Sequence, residues 1–75
     1  MNKLLSKLKK GQQGEVVRIE GEAGLKRRLA SMGFLTGVKV VVEHSTLWGD
    51  PKTYSVCGCL ISLRASEAEN IVVEC

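Results

Sequence analysis

Four groups of residues in this sequence carry side chains able to do chemistry: the thiols Cys57, Cys59 and Cys75, the single imidazole His44, the cationic run Lys26-Arg27-Arg28, and the apolar pair Leu47-Trp48. Two thiolates two residues apart beside a tight turn can converge on a metal, and Cys75 or His44 would complete a tetrahedral zinc set. The spacing argues the other way. A lone C-x-C lacks the paired C-x-x-C pattern of structural zinc sites, and three cysteines crowded toward the C-terminal end form a poor disulfide framework. Free, reduced thiols are therefore expected, no metal site is assigned, and His44 reads most simply as a polar strand residue. Catalysis needs a nucleophile with a base, or paired carboxylates, held in a pocket. The single histidine, His44, forms no such constellation, and no G-x-x-x-x-G-K-[ST] loop is present to cradle a phosphate. The expectation is a protein that is not an enzyme and needs no cofactor.

Charge offers the second route to function. The net charge is +3, but it is patchy: Lys3, Lys7, Lys9 and Lys10 fall in the first ten residues, and Lys26, Arg27 and Arg28 sit together. Such patches steer an acidic partner surface, with a solvated helix face as the plain alternative. Single-stranded nucleic acid would need aromatic platforms among the cations, and Phe34, Trp48 and Tyr54 stand one per segment. Proline-rich peptide binding would need a groove walled by several aromatics, which these three do not make. Trp48 beside Leu47 in a turn either folds back on the core or waits for a partner, and a waiting tryptophan is the natural interface anchor.

These residues have to be positioned by very little chain. Seventy-five residues with 44% hydrophobic and 25% charged side chains make one domain, 1–75, with a thin core. No apolar run approaches the ~18 residues of a membrane span, and the first residues lack the apolar centre of a signal peptide, which points to the cytosol. Leu4, Leu5 and Leu8 read as one helical turn or an irregular lead-in laid on the core. Residues 15–20 alternate with Val17 and Ile19 on one face, giving the first strand. The spacing of Leu25, Leu29 and Met32 predicts a helix over 25–32, apolar on one side and basic on the other, stopped by Gly33 in the left-handed position after its end. Residues 38–44 form the longest strand, with Val38, Val40 and Val42 facing one way, and residues 47–51 turn the chain. Residues 52–57 return with Tyr54 and Val56 inward, and Gly58 marks a tight hairpin into 60–64. Ser66 through Glu69 matches an S-x-x-E capping box ahead of a last strand, 71–74. Five short strands with one helix inserted after the first, and a helical turn before the last, describe a small closed or half-open barrel, in which closure would hide the strand edges.

The pattern Leu8-x-x-Gly11-x-x-Gly14, Leu29-x-x-Met32-Gly33-Phe34-x-x-Gly37, Gly49-Asp50-Pro51, Ile61-x-Leu63-Arg64 and Glu67-Ala68-x-x-Ile71-x-Val73 resembles the FeoA family of ferrous iron transport accessory proteins. The likeness runs over nearly the whole chain. Thr36 departs from it, standing where the family usually carries proline before the glycine, which should loosen that turn without changing the fold. The resemblance implies an SH3-like barrel acting in the cytosol with FeoB, the membrane ferrous iron transporter that carries a GTPase domain. It also implies an alternative, because the C-terminal domain of iron-dependent repressors is a similar barrel: an iron-responsive or metal-binding regulatory module. On position and chemistry the contact surface is expected at Lys26 and Arg28, which would steer, and at Leu47 and Trp48, which would anchor. The chain is expected to be a monomer or a weak homo-oligomer.

Overall fold

Glycines and apolar alternation divide the chain into short elements, and the computed structural model describes all of residues 1–75. In order they are β1 (Asn2–Leu4), a 3₁₀ turn (Leu5–Lys7), β2 (Gln13–Ile19), α1 (Ala23–Ser31), β3 (Lys39–Ser45), β4 (Lys52–Val56), β5 (Cys59–Leu63), α2 (Ala65–Ala68) and β6 (Ile71–Glu74). All six strands join one antiparallel sheet in the order β1-β6-β2-β3-β4-β5. The five expected strands are all there. A sixth, β1, is added at the edge, because the outer side of β6 gives a three-residue stretch something to pair with.

One face of the sheet wraps a single core. Val40 and Val42 of β3, Tyr54 and Val56 of β4, and Ile71 and Val73 of β6 point into it with Leu29 of α1 and Phe34. Leu5 and Leu8 lie across the end, essentially unexposed. They are held there by Lys52, whose Nζ donates to the carbonyls of Ser6 (2.9 Å) and Leu8 (2.6 Å). No polar or charged residue is buried, so the interior is a thin apolar layer of the sort a domain this small can assemble.

The first long strand departs at Val17 from the reading of Val17 and Ile19 as its inward pair. Gly14 and Val16 face inward, Val17 is half-buried, and Ile19 packs against the core as expected. The cause is a bulge: the register of β2 against β6 slips between Val16 and Arg18, and an inserted residue turns the side chains that follow. Gly14 is required there, since a Cβ would lie 2.8 Å from Val73 Cγ2. A similar slip between Val42 and His44 against β4 delivers His44 to solvent.

The helix α1 begins two residues ahead of the expected start and ends as its glycine requires. The Gly33 N–H donates to the Ala30 carbonyl (3.0 Å) and the Phe34 N–H to the Leu29 carbonyl (3.1 Å), the paired bonds of a Schellman ending. Gly33 adopts φ +105°. The apolar contact that accompanies such an ending is made by Phe34 and Leu29, both wholly buried. The second helix also occurs where a helical turn was expected, but with another cap. It starts at Ala65, the Glu67 carboxylate accepts from the Arg64 N–H at 3.0 Å, and Asp50 Oδ1 accepts from the Ala65 N–H at 2.9 Å. Ser66 lies inside the helix rather than at its cap.

Candidate partner-docking surface

The two halves of the expected contact surface are built differently. On α1, Lys26 and Arg27 project freely into solvent, whereas Arg28 forms an ion pair with Glu67. The same carboxylate holds the Arg64 N–H, so Glu67 fastens α1 to the first turn of α2. Arg28 remains 58% exposed, and an exposed pair of this kind stabilises by about 0–1 kcal/mol. Its guanidinium still presents positive charge, but in a fixed direction.

The turn between β3 and β4 is braced from within and apolar outside. The Gly49 N–H donates to the Thr46 carbonyl (2.9 Å), the Asp50 N–H donates to Thr46 Oγ1 (3.0 Å), and the Asp50 carboxylate reaches across to Ala65. With the backbone satisfied by these short polar bonds, nothing draws the side chains back onto the core. Leu47 is 89% exposed and Trp48 86%. Of the two outcomes open to Trp48 on sequence, the structure has the outward one. Behind the turn, Tyr54 is buried. Its phenol is pushed up to about 12 by loss of solvation and, less, by the negative charge of Asp50; it stays neutral at physiological pH.

Both halves are tied to α2, the helix through Arg28 and Glu67, the turn through Asp50 and Ala65. Sequence reasoning did not single out Glu67 or Asp50 as positioning residues. Their partners lie 39 and 15 positions away, and the only signal was the presence of both in the motif pattern.

The remaining reactive groups stay apart. Cys57 (φ +50°) and Gly58 (φ +80°) make the two-residue turn of the β4–β5 hairpin, and Cys59 opens β5. Cys75 follows β6 and bonds back to Met1, and His44 projects from β3. All three thiols are exposed, and no three His, Cys, Asp or Glu side chains gather closely enough to share a metal ion. The widest groove, about 630 Å³, runs past Met1, Lys3, Gln12 and Cys75 and contains neither a histidine nor a carboxylate side chain. No helix is long and apolar enough to cross a membrane.

Comparison with known proteins fits this architecture. The FeoA domain family matches residues 3–75. The chain belongs to the FeoA family. As a FeoA-family chain it is 36% identical over 70 residues to the Fe(2+) transport protein A/Fe(2+) transporter FeoB fusion protein of Porphyromonas gingivalis, a match covering 93% of this chain and 8% of that much longer protein. Among solved structures, a crystal structure of an iron uptake regulatory protein (FeoA) superposes with a TM-score of 0.90 at 30% identity, covering 99% of this chain and 97% of the other. FeoA of Stenotrophomonas maltophilia, solved in complex with zinc and described as a prokaryotic SH3 domain protein, gives a TM-score of 0.83 at 28% identity over 99% and 89% of the two chains. The FeoA fold here is the expected SH3-like one. A manganese-dependent transcriptional repressor shares that fold over 97% of this chain and 41% of its own (TM-score 0.87), at 20% identity.

Proposed function

We propose that this chain is a non-catalytic accessory protein of ferrous iron uptake that docks on the cytosolic, GTPase-bearing part of a FeoB transporter and modulates transport or its nucleotide cycle. One observation carries the reading: in the Porphyromonas gingivalis protein a segment 36% identical to this chain is joined covalently to a FeoB. Joining two modules makes their encounter intramolecular and raises their effective concentration, which is useful when the modules work together. A docking surface on this domain would serve the same encounter.

That surface is the one built above. Lys26 and Arg28 steer toward an acidic face, acting on the association rate and its salt dependence. Leu47 and Trp48 form the apolar centre, held on a turn that loses little freedom on binding because its backbone is already fixed. The rival reading, a metal-sensing module, would have to use thiol and imidazole donors of which no three gather closely enough to share an ion. It has no geometric support of comparable weight.

Binding of the purified chain to the cytosolic region of FeoB tests the proposal. The wild-type chain is expected to bind, Trp48→Ala to weaken binding by about 2 kcal/mol, roughly thirtyfold, and Lys26→Glu to slow association without a comparable change in dissociation. Lys26 is the better charge probe than Arg28, because reversing Arg28 would set two carboxylates against each other at Glu67. Absence of binding removes the proposal; binding undiminished by Trp48→Ala with Lys26→Glu removes the surface.

A further inference from the structure

The sheet has two free edges, and they are protected to different degrees. The β1 edge is three residues long and carries Lys3, two of the devices that discourage edge pairing. The β5 edge, Cys59-Leu60-Ile61-Ser62-Leu63, has no charge and no proline, and pairs with β4 without a register slip. The outward groups of β5 follow from its hairpin. A two-residue turn makes Val56 and Cys59 a pair that exchanges hydrogen bonds, so Tyr54 with Ile61 and Lys52 with Leu63 do the same. Between them, Leu60 and Ser62 occupy the alternate, closer pairs. The 3.0 Å contact of Ser62 Oγ with Thr53 Oγ1 fits that assignment. The N–H and C=O groups of Leu60 and Ser62 therefore aim away from β4, and no turn, loop or cap hydrogen bond reaches them. Leu60 is also 65% exposed.

We infer that β5 is a homodimerisation edge: two copies pair their β5 strands antiparallel about a two-fold axis at Ile61, with Leu60 opposite Ser62 of the second copy. The strand is its own complement. In this register all four outward groups on each copy find partners, making four backbone hydrogen bonds, whereas pairing Leu60 with its own equivalent would leave Ser62 facing the turn glycine Gly58. The two-fold sets the Leu60 side chains on the diagonal, where long apolar side chains meet across strands. The neighbouring rows of the same sheet face, Leu60-Ser55-Val41 and Ser62-Thr53-His44, contain no carboxylate, ammonium or guanidinium. A second copy meets no like charge there, while a charged foreign segment would find no counter-ion. The pairing is isologous and closes, giving a dimer rather than a fibre.

The test is sedimentation of the full chain under reducing conditions from about 10 μM to about 1 mM, the range in which a contact of this size becomes populated, together with amide exchange over the same series. A reversible monomer–dimer equilibrium is expected. Exchange at the Leu60 and Ser62 amides should slow as concentration rises, while Asn2 on the β1 edge stays unchanged. Leu60→Lys, at an exposed position, should raise the dissociation constant at least about tenfold. A monomer throughout the range overturns the inference. So does a dimer that reductant abolishes, one in which Leu60 and Ser62 exchange freely, or one indifferent to Leu60→Lys.

Discussion

Phe34 and Trp48 occupy comparable places, each an aromatic beside a leucine in a connection next to β3, yet Phe34 is wholly buried and Trp48 is 86% exposed. The backbone accounts for the difference. At Phe34 the helix ending directs the residue after the glycine onto Leu29, so cap and core are one feature. At Trp48 the turn is closed by Thr46 and Asp50, which need nothing from the side chains between them. The first connection uses its aromatic to fold; the second leaves it available. An exposed Leu-Trp pair on a braced turn is thus a feature that stability does not explain, and it is the one the proposed docking would use.

The sharpest way to break this contrast is to truncate both aromatics. Phe34→Ala should cost about 3–5 kcal/mol, a large part of the about 4–11 kcal/mol available to a domain of this length; denaturant melts would show it as a large fall in the unfolding midpoint. Tyr54, buried behind the Trp48 turn, gives the next largest effect. Its folded pKa is raised to about 12, against about 10 when unfolded. Unfolded chains therefore release this proton first, so its contribution is complete below pH 10 and declines between pH 10 and 12, by about 2–3 kcal/mol in all. Because Tyr54 is the one tyrosine, phenolate absorbance reads the shift directly, and Tyr54→Phe should remove its share of the alkaline loss. Gly33→Ala should cost about 1–2 kcal/mol for a side chain in the left-handed region, since its Cβ would also press to 3.3 Å from Val56 Cγ1. Trp48→Ala should shift stability by no more than about 0.5 kcal/mol. A melt showing several times that loss would mean the tryptophan belongs to the core after all.

What could be read in advance follows the range of the interactions. Gly33, the hairpin at Gly58 and the inward valines of β3 were legible because each is decided within a few residues, although the turn also takes Cys57 from the strand expected over 52–57. The phase of β2 was not, because either of the adjacent Val16 and Val17 satisfies an alternating pattern and β6 selects between them through the bulge. The local pattern points to a cap of α2 at Ser66, whereas Asp50, far along the chain, supplies the acceptor. The candidate surface divides the same way. Trp48 and Lys26 could be named from type and position, but the tethering of Arg28 by Glu67 depends on two helices meeting in space. Whether Trp48 faced in or out was a question only the bonds of Thr46 and Asp50 could answer.

In the proposed docking, the exposed tryptophan meets a FeoB surface. Trp48 is the one tryptophan in the chain, so a chain labelled with 5-fluorotryptophan gives a single fluorine resonance. Titration with the FeoB cytosolic region should shift that resonance from its solvated position as the complex forms. A complex that forms while the resonance stays where it was would contradict the claim.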